Sequence, residues 1–163
     1  MKGLTVERLK ELLDYDPLSG VIKRKTNWGS KLIGSVATHA YGLGYLGVSV
    51  DNKEHPAHRL AWFYVHGTEP LGEIDHINGI RTDNRIVNLR DLTPSQNQQN
   101  RRSHSKCNKS GYLGVSWAKN EKKWVAKINF NGKLKHIGYF HDPKEAHEAY
   151  LEMKRKHHPT CSI

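Results

Sequence analysis

Cysteine is close to absent from this sequence. Cys107 and Cys161 stand far apart, and neither belongs to a C-x-x-C pair. That spacing supports neither a disulfide framework nor a structural zinc site. Long apolar runs are missing as well. No stretch suits a membrane span and no basic-plus-apolar leader opens the chain, so a soluble cytosolic protein is expected. Apolar residues fill 36% of the 163 positions and mean hydropathy is −0.74, which predicts several modest cores in place of one large one. Negative charge is short, but unevenly so. Residues 101–163 hold 14 Lys and Arg against 5 Asp and Glu, a net of +9, whereas residues 1–100 hold 12 against 11, a net of +1. The C-terminal third is therefore the expected polyanion-binding part.

What the chain does have is dense polar chemistry from Glu73 to Asn97, EIDHINGIRTDNRIVNLRDLTPSQN. Asp75 and His76 sit in a short apolar run with Ile74 and Ile77, which reads as a strand ending at the Asn78-Gly79 turn. Neighbours on a strand face opposite sides, so one can serve a metal while the other faces a water. A second strand is expected from Asn88 through Leu92. Thr93 as a cap and Pro94 at the first position then predict a helix bearing Asn97. A histidine near its ordinary pKa of ~6.5 takes a proton from water at neutral pH. A hard cation on one carboxylate and one amide oxygen keeps positions open for water and phosphate.

This hairpin and helix resemble the HNH (ββα-metal) endonuclease family, in the asparagine-ended branch found among phage and intron-encoded nucleases. The resemblance implies His76 as the general base, Asn88 as the residue that orients it, and Asp75 and Asn97 as ligands of a divalent metal, Mg2+ or Mn2+. The spacings of 12 from His76 to Asn88 and 9 from Asn88 to Asn97 belong to that pattern, as do Asp83-Asn84-Arg85 and Asn88-Leu89. A polar hairpin whose Asp and Asn residues merely cap turns is the plainer alternative. A phage-encoded protein of this kind would work in the cytoplasm of a bacterial host.

Upstream, a Thr5 cap and the stripe Val6, Leu9, Leu12 and Leu13 predict a short helix. Residues 14–20 read as turn-rich, and Val21 to Lys25 as a strand partnered around Leu32 to Ala37. Residues 42–47, GLGYLG, match G-x-G-x-x-G, but they lead into Val48-Ser49-Val50, a strand, so no helix N-terminus is there for a pyrophosphate. His58 to Gly67 reads as a helix stopped by glycine. A similar H-R-L-A-W segment commonly precedes the motif in HNH phage proteins. His55, His58 and His66 lack a carboxylate or cysteine at metal spacing, which favours packing or phosphate contact.

Past a basic linker, residues 110–140 contain three strand-like runs with turns at Asn120-Glu121 and Asn131-Gly132. Asp142, Pro143 and Glu145 then open a helix with Ala146, Ala149, Tyr150 and Met153 on one stripe. Y-x-G-V, W-x-A-x-I, I-G-x-F and E-A-x-x-A-Y resemble the APETALA/ethylene-response-factor DNA-binding domain over residues 110–151. That resemblance implies a sheet laid in the major groove. Ser116, Trp117, Lys119, Lys122, Lys123 and Lys127 are the candidate DNA contacts, with Leu113 and Ser116 standing where plant members have arginine. Trp124 reads as core. Arg101 and Arg102, just past the metal-site helix, suit phosphates beside the cut.

The expected fold is modular α+β: an N-terminal helix and strand region (1–56), the nuclease unit with its preceding helix (57–102), a linker (103–109), and a three-stranded antiparallel sheet packed on one helix (110–163). The expected activity is metal-dependent hydrolysis of double-stranded DNA by a homing-type endonuclease, acting as a monomer or transient dimer. The alternative is a sequence-specific DNA-binding regulator that keeps the HNH hairpin as scaffold. RNA binding is weaker, because no aromatic base-stacking platform stands out.

Overall fold

Thr5 starts the first element: its hydroxyl accepts the Arg8 N–H at 3.1 Å and caps α1 (Val6–Leu12). The computed structural model describes residues 3–100, 107–130, 132–158 and 161. These fall into two units, Met1–Pro94 and Ser95–Ile163, each with its own apolar cluster. The fold is α+β, with four α-helices among the described residues and several small antiparallel sheets. No described helix is long and apolar enough to cross a membrane.

In the first unit, β1 (Leu13–Tyr15) pairs antiparallel with β2 (Ile22–Arg24). The expected turn over 14–20 therefore begins later, and the expected partner segment 32–37 meets β2 at one isolated bridge, Lys23 to Val36. Leu13, Tyr15 and Ile22 are buried while Asp14 and Lys23 point out. This is a two-residue period too short to read against the turn residues around it. A second sheet is formed by β3 (His39–Tyr41), β4 (Tyr45–Val50) and β5 (Lys53–Pro56), in that order. The strand expected after GLGYLG is β4. Next comes α2 (Ala57–His66), which buries Ala57, Leu60, Ala61 and Phe63 and stops at Gly67 in the left-handed conformation.

The Glu73–Asn97 stretch then supplies β6 (Glu73–His76) and β7 (Leu89–Leu92), paired antiparallel. β7 starts one residue later than expected because Ile86–Asn88 closes a 3-10 turn. Leu9, Ile22, Val48, Leu60, Ile74 and Leu89 share one cluster. Residues 1–56 and the hairpin are thus built on a common core.

α3 (Pro94–Gln99) starts at the last residue of the first unit and carries Asn97, as expected, while the Arg101-Arg102 end of the expected helix lies outside the described residues; the rest of the second unit is a sheet and a helix. The strands β8 (Val115–Ala118), β9 (Lys123–Phe130) and β10 (Lys133–Phe140) form an antiparallel sheet with β9 in the centre. α4 (Pro143–His157) follows, with Asp142 accepting the Lys144 N–H at 3.0 Å as its cap. Val115, Ala126 and Ile128 of the sheet pack with Ala146 and Tyr150 of the helix, and Trp124 and Phe140 lie against them.

Candidate active site

His76 ends β6 and is sunk into the first unit, only 5% exposed. Its Nε2 lies 3.2 Å from the side-chain oxygen of Asn84. A ring N–H can donate to an amide oxygen, so this contact holds the imidazole in one orientation. Asn84 is itself 1% exposed. Its backbone carbonyl takes the Tyr15 hydroxyl at 2.7 Å, and burial followed by the nearby Asp16 charge pushes the Tyr15 phenol up to about 12, so it stays a donor. Gly20 presses on the same segment: a Cβ there would stand 2.6 Å from the Arg85 nitrogen. The first strand pair therefore buttresses the residue that holds the histidine.

Two aromatic rings complete the wall. His58 of α2 meets His76 edge-on at 5.3 Å, and Tyr45 of β4 lies 5.1 Å from His58 and 5.9 Å from His76. Burial first, then the neighbouring His76 and Arg59, push the His58 pKa down to about 4. His58 is therefore neutral at pH 7, and its Nδ1 is buried without a partner. This matches packing, one of the two roles read for it in the sequence.

The side-chain hydrogen bonds of Asn88 go to the loop and not to His76. Its amide nitrogen donates to Asn78 Oδ1 at 3.0 Å and to the Asp83 carbonyl at 2.8 Å, while its oxygen accepts the Asn78 N–H at 3.0 Å. Asn78 also donates to Asp83 Oδ2 at 2.7 Å, and Arg85 grips the same carboxylate with Nε at 2.8 Å and Nη2 at 2.6 Å. The Arg85 hydrogen bonds hold the Asp83 carboxyl well below the usual range. The loop between the strands is thus cross-braced by its own polar side chains, with Asn88 as the brace and Asn84 as the partner of the histidine. Asn84 belongs to the Asp83-Asn84-Arg85 pattern of the sequence. What the sequence could not show is that a sharp turn at 86–88 redirects the later amide into the loop.

Asp75 stands opposite Arg90 in the hairpin register. Arg90 donates to Asp75 Oδ2 through Nε at 2.9 Å and Nη2 at 2.7 Å. Asn97 is half-buried on α3, in the second unit. Among the described residues no three of His, Cys, Asp and Glu gather into a metal cage. A carboxylate is the oxygen donor that a hard divalent cation takes.

Residues 55–99 match the HNH endonuclease family. The match contains the α2 segment, both strands of the hairpin, the braced loop and α3. Over 77 residues the chain is also 35% identical to Protein 3.8 of Escherichia phage T7, which covers 47% of this chain and 63% of that protein. The chain therefore spans under two thirds of that relative's length. No solved structure matches.

The candidate DNA contacts divide by face. Val115, Trp117, Trp124 and Ala126 pair across β8 and β9 and lie on the helix side of the sheet. Trp117 packs edge-on to Trp124 at 5.0 Å and remains 48% exposed. The register puts Ser116, Lys123 and Lys127 on the opposite face, with His136 beside Lys127 and Tyr139 beside Val125. Lys119 and Lys122 are exposed in the β8–β9 turn. His136 and Tyr139, their rings 4.6 Å apart, share this face because a bulge between His136 and Gly138 shifts the register, which strict alternation in the sequence does not announce. Arg101 and Arg102 lie outside the described residues.

Proposed function

We propose that this protein is a metal-dependent DNA endonuclease of the HNH type, comparable to homing endonucleases of phage or mobile elements. The observation that supports it most is the buried histidine held by the side-chain oxygen of Asn84 in a segment matching the HNH endonuclease family. His76 Nδ1 accepts a proton from a water, and the resulting hydroxide attacks the phosphorus as the bond to the 3′ oxygen breaks. Asn84 keeps the ring in one orientation through the reaction, and its oxygen stabilises the imidazolium through Nε2–H. Asn88 acts at one remove by holding the loop shape.

Asp75 and Asn97 are the residues that would hold a divalent cation, Mg2+ or Mn2+, which when bound supplies positive charge to the scissile phosphate and the leaving oxygen. The open face of the second unit, with Ser116, Lys123 and Lys127, together with Lys119 and Lys122 at the turn and Trp117 at the sheet end, binds duplex DNA and raises its local concentration. This is the role the APETALA/ethylene-response-factor resemblance implies. Arg101 and Arg102 add phosphate contacts. One site per chain cuts one strand, so a double-strand cut takes a transient dimer or two events.

A second reading has an observation of its own. Arg90 already neutralises Asp75, which suits a DNA-binding regulator that keeps the hairpin as scaffold. Supercoiled plasmid incubated with the protein in Mg2+ and in chelator separates the two. Open-circular product that appears only with metal supports the nuclease, and binding without cutting across several metals and DNA sequences supports the regulator.

A further inference from the structure

The turn that joins β3 to β4 is made from a residue that does not suit it. The Tyr45 N–H donates to the Gly42 carbonyl across the turn, and Leu43 (φ 61, ψ 24) and Gly44 (φ 80) between them are both left-handed. Such a primed two-residue turn favours Asn, Asp and Gly at its centre, because other side chains are strained there. The same sheet follows that rule at its next hairpin, where Asp51 (φ 46) and Asn52 (φ 61) join β4 to β5. Leu43 breaks it and gains no burial in return, being 83% exposed. Bare aliphatic side chains occur elsewhere on this surface, as at Leu18 and Leu71; what sets Leu43 apart is the left-handed backbone that holds it, and strain of that kind gathers at functional positions.

What fixes Leu43 is the loop that holds the histidine. Arg81 donates to the Leu43 carbonyl and lies 5.1 Å over the Tyr45 ring. Tyr45 in turn is 5.9 Å from His76. Leu43 is thereby indexed to the histidine through one guanidinium and one ring, and Ile80, next to Arg81 in the chain, is exposed as well.

We propose that Leu43 is a wedge that enters a base step of duplex DNA beside the scissile phosphate. This rests on the nuclease reading above. An inserted aliphatic side chain unstacks one step and kinks the duplex, and pyrimidine–purine steps yield most easily. The turn thus biases the choice of site without reading a base edge. Its positive-φ backbone aims the side chain outward, and Arg81 holds that aim.

The test uses closed circular plasmid relaxed by topoisomerase I in chelator, where unwinding by a bound wedge is read as a shift in topoisomers, alongside nicking of supercoiled plasmid in Mg2+. Leu43→Asn suits the turn and raises Tm, so loss of folding does not confuse the result. The variant is expected to bind the plasmid as wild type does, lose at least half of the unwinding, and nick about tenfold more slowly. Leu43→Met, which keeps the apolar bulk, retains both. Wild type that nicks without unwinding, or Leu43→Asn that unwinds and nicks like wild type, overturns the wedge alone. Wild type that neither binds nor nicks overturns the nuclease reading beneath it.

Discussion

The loop between β6 and β7 and the open face of the β8–β10 sheet are both rich in polar side chains, and they use them in opposite ways. In the loop, Asn78, Asp83, Arg85 and Asn88 are bonded to one another, and Asn84 is turned inward onto His76. On the sheet, Ser116, Lys127, His136 and Tyr139 stand in solvent. Proton transfer needs its groups held to within fractions of an ångström, which bonded side chains supply. Attraction of a polyanion needs only charge on a surface, and long-range attraction tolerates side-chain motion. On the proposed reading, one region positions and the other attracts.

The comparison breaks first at the two asparagines. Asn84→Ala frees the ring of His76 and is expected to lower kcat for plasmid nicking about 10²-fold with little change in KM. Asn88→Ala removes the brace and is expected to cost about 1–3 kcal/mol of stability, read as a lower Tm. Equal kinetic effects from the two, with no difference in Tm, would erase the distinction between holder and brace.

Burial of His58 sharpens the contrast through pH. Its folded pKa is pushed down to about 4 by burial, then by His76 and Arg59, against ~6.5 in the unfolded chain. Between those values the unfolded chain binds more protons, so stability rises with pH there. The His58 contribution is complete above about pH 6.5 and is lost as pH falls toward 4. The loss is at most about 3 kcal/mol, less what residual solvent screening removes. Urea unfolding at pH 7 and pH 4.5 measures it, and His58→Phe should flatten the difference. An unchanged acid slope in the variant would mean that His58 is not held neutral by the fold.

The lysines of the sheet should give the mildest effect. Replacing Lys123 and Lys127 together by glutamine is expected to reduce the salt slope of duplex binding by up to about 1.8, roughly 0.9 for each phosphate that is no longer neutralised. At saturating DNA the cutting rate should not move. A salt slope equal to that of wild type would remove the open face from the binding surface.

Legibility in the sequence followed the range of the interactions. Caps and turns are local, so Thr5, Gly67 and Asp142 could be placed on helix ends by their neighbours alone. The period-2 runs of β9 and the apolar stripe of α4 were equally readable. Leu13–Tyr15 was hidden because its strand is three residues long and its partner lies beyond a turn. The pairing of Asp75 with Arg90 follows from hairpin register, which depends on where the intervening loop ends. The partner of His76 was hidden for the same reason: spacing to Asn84 or to Asn88 does not say which amide a folded loop turns inward. Tyr15 and Gly20 support that loop from far along the chain, an arrangement that no local pattern announces.

His76 itself carries the central claim. Single-turnover nicking of supercoiled plasmid in Mg2+ and affinity for the same plasmid in chelator should be measured side by side for wild type and His76→Ala. A general base in a preorganised loop predicts a loss of about 10³-fold in nicking, within the usual range for such groups, with affinity within about twofold because the binding charge lies elsewhere. Cutting at the wild-type rate would contradict the assignment outright, and a fall in affinity that matches the fall in rate would make His76 a phosphate contact and not the base.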